Sequence, residues 1–533
     1  MAYQDFSEKS FDMTGDSRRT GDDWEGTCLD YLERVRQNPV VAQLAPARVY
    51  NMILRGGTQP FRREGALPRY EDLVQYNLFK DRLFGLEEPL HEIVRFIKAG
   101  ARGTETGKRI LVLVGPASSG KSTIVSLLKD GLQKDDTPLY AVKNCPIHEE
   151  PLHLIPRPLR PKWEEVLGVK IEGDLCPACR FNLLKGADYR DPECRLLWET
   201  YPVVRIRIGE RCGIGTFRVS ETRDQEISEL IGRADPSKVE EYGETDPRAY
   251  RLDGQLAAAN RGLMEYADLL KCDVKFHYVL LSVAQERVLK APGFPHIYID
   301  EVILGETNPF DFEKFKSAKE NEALHDRMYP VFVPYNLRAK EEEKICLKLI
   351  ARSPLPDVHF GPHAIAVAAR FAVLTRLTPS SIVPDLFRKM RAYDGEGAES
   401  APSEVVRLRL EGKERNEGMS GLSSPFVGEA LCMAAKAAGT GGCVGALEVI
   451  RAIREKCEGL AGEEKTRYIR LLSGERDSVL SEFRKTAREE VSRATASSPA
   501  GNLEASIAAL KERGYCDACA ERLLVFVKNE VVS

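Results

Sequence analysis

Residues 115–122 read GPASSGKS, with two glycines, a lysine and a hydroxyl at the G-x-x-x-x-G-K-[ST] spacing of a phosphate-binding turn. Gly115 and Gly120 let the backbone wrap around Pro116, Ala117, Ser118 and Ser119, so that N–H groups turn inward at phosphate oxygens. Lys121 can reach the β- and γ-phosphates and the Ser122 hydroxyl can coordinate Mg²⁺. Ser122 and Thr123 open a helix whose free N–H groups and dipole favour an anion. The expected ligands are ATP and Mg²⁺.

A second chemistry lies in the sulfur. Thirteen cysteines, in a chain whose polar N-terminus reads as no secretory leader, are expected to be reduced thiols, so their spacing is informative. Cys145-x-x-His148 and Cys176-x-x-Cys179 are two pairs, each able to form one jaw of a tetrahedral zinc site. The same residues also suit buried thiols, because a free cysteine packs as a small hydrophobe. Cys194, His153 and Cys212 are spare candidates. No HExxH-type base accompanies them, so a zinc ion here would be structural. Cys516-x-x-Cys519 falls in a helical stretch with no second pair nearby and reads as core or surface rather than metal.

Beyond the phosphate turn, CPIHEEPLHLIP (145–156), IEGDLCPACR (171–180), DPRAYRLDG (246–254), ANRGLMEYADLLK (259–271), NEALHDRMYPVFVPYNL (321–337) and RAYDGE (391–396) resemble the PrkA family. That family is described as serine protein kinases built on an AAA+ ATPase domain. The resemblance runs over 24–472 and leaves out the C-terminal end. It implies transfer of phosphate from ATP to protein Ser/Thr by a homo-oligomer. The alternative is an AAA+ ATPase that remodels or helps degrade partner proteins; an ATP-sensing scaffold with little turnover is a third reading.

An AAA+ site needs acidic groups beside Mg²⁺ and water, and RGLMEYADLL offers Glu265 and Asp268. Related proteins end this strand in Asp-Glu, whereas Ala267 stands at the Asp position. Asp268 is then expected in the catalytic place and Glu265 on the metal side, although alternation along a strand puts Glu265 and Ala267 on one face and Asp268 on the other. HIYIDE (296–301), with Asp300 and Glu301, is the rival segment. Asn308 (or Thr307) stands where AAA+ proteins orient water, and also reads as an ordinary Asn-Pro turn. Arg327 resembles an arginine finger acting in a neighbouring subunit, with a surface ion pair to Asp326 or Glu322 as the plainer reading. Arg370, Arg376 and Arg388 compete as the lid arginine. The chain has no HRD, DFG or V-A-I-K segment, so a kinase activity would have to run on the phosphate turn with Asp268 or Glu265 as base.

These residues need a scaffold. At 533 residues the chain exceeds one hydrophobic core, and 43% hydrophobic with 30% charged residues is a soluble globular composition. A net charge of −4 advertises no nucleic-acid partner. No apolar run approaches the roughly 18 residues of a membrane span, so a cytoplasmic protein is expected. RILVLV (109–114) is a strand running into the phosphate turn, and TIVSLLKDGLQ a helix running out of it. The expected fold is α/β: a lead-in at 1–75, an AAA+ core at 76–337 with a cysteine-bearing insertion at about 145–258, a helical lid at 338–395, and a helical C-terminal domain at 396–533. Within these, 1–23 reads as disordered, 63–69 as a linker and 394–402 as a hinge-like break.

Overall fold

A strand that is apolar at five successive positions has no face to show water, so ILVLV can only lie inside a sheet covered on both sides. In the computed structural model that strand, β1 (Ile110–Val114), is buried at every residue. The structure describes residues 24–61, 73–184, 197–218, 226–243, 246–291, 294–396, 402–496 and 503–532. The lead-in at 1–23, the linker at 63–69 and most of the break at 394–402 lie outside the described residues.

Beside β1 run β2 (Gly213–Arg218), β3 (Leu263–Ala267), β4 (Val302–Thr307) and β5 (Met328–Phe332), all parallel, in the order β5-β1-β4-β3-β2, with Gly209–Glu210 on the far edge. Parallel strands need crossover connections, and their helices cover both faces. On one face Leu111, Leu113, Leu263 and Leu304 pack against α1 (Glu87–Ala101) and α2 (Lys121–Lys134). On the other, Val112, Met264, Tyr266 and Ile303 meet the helix Val274–Glu286, the N-terminal helix Cys28–Gln37 and the cysteine-bearing segment. In Cys28–Gln37, Tyr31, Leu32 and Val35 face this core at helical spacing, while Leu29 is exposed.

The insertion is shorter than its expected bounds. Gly213–Arg218 lies inside 145–258 yet belongs to the central sheet. Its sequence GIGTFR lacks the apolar run that marked β1, because Gly215 leaves room for the Gln255 carbonyl and the Ala259 methyl. Leu139–Val142, just before the insertion, pairs antiparallel with Pro202–Ile206 inside it, which takes the N-terminal strand Glu25–Thr27 on its other side.

After the sheet come α3 (Ala339–Arg352) and α4 (Ala364–Arg376). The lid and the C-terminal helices, expected as two domains, share one hydrophobic core from Ala339 to Val527. Two ion pairs lie inside it. Arg376 donates to both Glu342 oxygens at 2.8 Å with neither side chain exposed, and Lys389 donates to Glu417 at 2.6 Å. No described helix is long and apolar enough to cross a membrane.

Such pairs cost desolvation, and removing one partner strands the other charge. Glu342→Ala is expected to lower unfolding free energy by about 3–5 kcal/mol, read from urea denaturation, while the double replacement Glu342→Leu with Arg376→Leu restores most of it.

Candidate functional site

The phosphate turn sits at the C-terminal edge of β1, where open parallel sheets place their ligands. Gly115 allows no side chain, since a Cβ there would lie 2.2 Å from the Val333 carbonyl oxygen. Gly120, at φ +102°, makes the left-handed step into α2 that glycine alone takes readily. Lys121 donates from Nζ to the Gly115 and Pro116 carbonyls at 2.7 and 2.8 Å, folding back over the turn. Burial pulls its pKa below the ordinary lysine value against the opposing pull of Glu306 and Asp268.

Of the two acidic segments, 263–267 forms β3 of the sheet. The rival HIYIDE does not join it: Ile297–Tyr298 pairs antiparallel with Val288–Leu289, and buried Asp300 accepts from the Ala45 N–H at 2.7 Å, at the opposite end of β4 from the phosphate turn. Asp268 follows β3 in a left-handed conformation, its side chain about half exposed (49%) and 3.1 Å from Lys271. Its charge still reaches Lys121 and Glu306. Glu265 is not beside the phosphate turn. It is held by Lys129 Nζ and by Thr216, which donates at 3.3 Å. Lys129 lies eight residues beyond Lys121, about 12 Å along α2. Alternation explains this: Ala267, two residues on, occupies the near position on that face.

The carboxylate beside the turn comes from β4. Tyr266 pairs with Gly305, so Ala267 and Glu306 are neighbours across adjacent strands on one face. Ser122 Oγ donates to Glu306 Oε2 at 2.9 Å, and Glu306 Oε1 is buried without a protein partner. Burial is the main cause of its raised pKa; the Ser122 hydrogen bond lowers it, and Glu265 and Asp268 raise it further. An acceptor pair of hydroxyl and carboxylate, crowded by negative charge and holding an unpartnered oxygen, fits a hard cation such as Mg²⁺. The sequence held one signal for it, an acidic residue following the apolar run VIL in the strand VILGET.

Asn308 caps the helix Pro309–Ser317, accepting from the Asp311 N–H at 2.8 Å and donating to its carboxylate at 2.6 Å. Thr307 lies just before it, buried at the end of β4. Arg327 precedes β5 and donates to the Ala323 carbonyl at 2.7 Å. It therefore stands at the N-terminal edge of the sheet, the length of a strand (about 16 Å) from its own phosphate turn. None of the three lid arginines lines the nucleotide cleft. Arg376 is buried on Glu342, Arg388 lies 4.0 Å from Glu404, and Arg370 acts on Glu343. The cleft, about 480 Å³, runs from Ser118, Gly120 and Thr123 past Leu83 and Tyr335 to Lys348 and Arg352 of α3. Lys348 donates to the Arg82 carbonyl at 2.7 Å, and Arg82 and Arg352 help to lower its pKa after burial. Sequence reading passed over Lys348 and Arg352 because α3 looked like any charged helix.

In the insertion the Sγ atoms of Cys145, Cys176 and Cys179 and a carboxylate oxygen of Glu149 all lie within 4.8 Å of one another. Cys145 and Cys176 are 3.8 Å apart. His148 is not in this group, although it was expected to be. It turns at φ +51° with Nδ1 buried and without a partner, while Glu149, one residue on, faces the sulfurs with a free Oε2. Of the spare candidates, His153 orients Glu149 through Nδ1 at 3.2 Å, Cys212 is elsewhere, and Cys194 lies outside the described residues.

Comparison with known proteins agrees with this architecture. The PrkA AAA domain family matches residues 26–383, and the PrkA serine protein kinase C-terminal domain family matches 387–509. The chain is 41% identical over 483 residues to a Bacillus subtilis protein named ATP-dependent protease PrkA, covering 88% of this chain and 73% of that one. It is 30% identical over 366 residues to an Escherichia coli protein named serine/threonine kinase YeaG, covering 66% of this chain and 55% of that one. Among solved structures, NtrX from Brucella abortus in complex with ATP aligns over 84% of this chain and 69% of its own at a TM-score of 0.33 and 12% identity, too slight a likeness to argue from. With its AAA domain on a β5-β1-β4-β3-β2 sheet and its helical C-terminal part, this chain belongs to the PrkA family.

Proposed function

We propose that this chain is an ATP-hydrolysing enzyme whose turnover drives work on a protein substrate, and that Glu306 completes its magnesium site. The supporting observation is the convergence of Lys121, Ser122 and Glu306 where β1 and β4 end side by side. Ser122 and Glu306 would hold Mg²⁺, which when bound neutralises charge on the β- and γ-phosphates. Lys121 exchanges its two carbonyl contacts for phosphate oxygens, a charge-assisted bond for a neutral one. Lys348 and Arg352 bring positive charge from the lid to the nucleotide. Asp268 orients the attacking water and accepts its proton. Arg327, too far to serve its own site, serves a neighbour's in a homo-oligomer. In the insertion, Cys145, Cys176 and Cys179 with Glu149 as the fourth ligand hold a structural Zn²⁺.

A second reading is transfer of the γ-phosphoryl to a protein serine, as the sequence resemblance implied. Two facts favour it: the YeaG relatives are named kinases, and the half-exposed Asp268 is open to a hydroxyl presented by another protein. Incubation with γ-labelled ATP and lysate proteins separates the readings. Free labelled phosphate with unlabelled protein supports the first, and label on serine supports the second.

Three variants test the site. Lys121→Ala is expected to weaken ATP binding about ten- to hundredfold, read by nucleotide titration, and to end turnover. Glu306→Gln should leave metal-free ATP binding in place while moving the Mg²⁺ dependence of turnover to higher concentration by about ten- to hundredfold; an unchanged Mg²⁺ curve removes Glu306 from the site. Arg327→Ala should keep ATP binding and lose about 10³–10⁵ in rate, and mixing it with Lys121→Ala should restore part of the activity, because one mixed interface joins an intact turn to an intact arginine. A mixture that forms hetero-oligomers yet stays inactive rules out action across subunits.

A further inference from the structure

Cys516-x-x-Cys519 lacks a second pair in the sequence around it, and the fold supplies one from far away. Cys516 immediately precedes the last helix, α5 (Asp517–Val532), and Cys519 lies in its first turn. Between the lid helices α3 and α4, His359–Phe360 forms a short parallel pairing with Cys443–Val444, with His359 directly opposite Cys443. The ring nitrogen of His359 and the sulfurs of Cys443, Cys516 and Cys519 all lie within 4.8 Å of one another. His359 Nδ1 is 3.6 Å from Cys443 Sγ. A tetrahedral zinc ion with Zn–S near 2.3 Å and Zn–N near 2.0–2.1 Å sets its nitrogen and sulfur ligands about 3.6 Å apart.

We propose that His359, Cys443, Cys516 and Cys519 form a Cys₃His site for Zn²⁺ that fastens the last helix to the lid. The ligand set is soft and complete, with one histidine and three thiolates, which selects zinc over the hard divalent ions. Three thiolates and Zn²⁺ leave one net negative charge, and Arg522 stands over it. Its Nη2 lies 4.0 Å from Cys519 Sγ and donates to the Cys443 carbonyl at 3.0 Å, while Nη1 is paired with Glu448 at 3.1 Å. The N-terminal dipole of α5 favours thiolate at the same point. Gly361 keeps the sulfur's place open, since a Cβ there would lie 2.8 Å from Cys519 Sγ. Cys443 and Cys519 are joined as a disulfide in the structure. That bond uses two of the four groups and leaves His359 and Cys516 beside it without a role, whereas the ion uses all four. In the zinc form Cys443 and Cys519 are thiols, as a dithiol reductant would leave them, and binding releases the thiol protons. The pair at 516 and 519 lies beyond residue 509, where the match to the family's C-terminal domain ends.

The test uses the full chain purified with a phosphine reductant. Zinc content of the parent is expected to exceed that of Cys516→Ser and of His359→Ala by one ion per chain, with the insertion cysteines unchanged in all three as an internal reference. Equal zinc in parent and variants overturns the proposal. A second measurement needs no variant: in the folded parent, Cys443, Cys516 and Cys519 should be alkylated together and only after a zinc chelator is added, as read by peptide mass. Alkylation of Cys516 at the same rate with and without chelator, or a Cys443–Cys519 disulfide recovered from the reduced, unchelated protein, also overturns it.

Discussion

At Gly115 the end of β1 meets the chain that leaves β5 so closely that no side chain fits between them. Val333 donates its N–H to the Val114 carbonyl at 2.8 Å, which carries the pairing one residue past the sheet. The phosphate turn can begin only there, and its wall is therefore the segment that leads into the lid. Tyr335, two residues on, donates its hydroxyl to the Ala117 carbonyl at 2.7 Å. The guanidinium of Arg376 lies 4.9 Å over the Tyr335 ring and is itself held by Glu342 at the start of α3. A continuous set of contacts thus joins the phosphate turn to the buried Arg376–Glu342 ion pair in the helical core.

Parallel strands in fixed register allow a functional group to change strand without changing place. Residues opposite each other on adjacent strands are about 4.8 Å apart, well within the reach of a glutamate. Ala267 on β3 carries no carboxylate on the face toward α2, and Glu306, beside it on β4, is the group that Ser122 meets. Glu265, one step further from the turn, is taken up by Lys129 and Thr216, so three acidic residues near one helix have three separate environments. Of these three, Glu306 is the one with a buried oxygen that has no protein partner among the described residues.

The helical half is held by charge and sulfur as well as apolar packing. Glu88 of α1 accepts from Arg409 and Lys413 of the helix Pro402–Glu414, and Glu87 from Arg338, which ties the C-terminal helices back to the AAA domain. The two cysteine clusters have one feature in common: each brings together side chains from segments far apart in the chain.

By itself the sequence determined the phosphate turn, β1, α1, α2 and the lid helices, because each is written in a short local code: glycine positions, an unbroken apolar run, or apolar residues at helical spacing. EEPLHEIVRFIKAG (87–100), EEEKICLKLIARS (341–353) and PHAIAVAARFAVLTRL (362–377) carry apolar residues at helical spacing and form α1, α3 and α4 over nearly those bounds. Family resemblance was legible for the same reason, since motifs are contiguous. The tertiary structure decided what depends on two distant segments meeting. Glu306 reaches Ser122 across 184 residues, His359 meets Cys443 across 84, and Glu149 rather than His148 faces Cys176 because the backbone turns at His148. Side-chain type names what a residue can bind. Which partners it finds follows from strand register and helix packing, and these are set by burial of the whole core, which no local stretch of sequence contains.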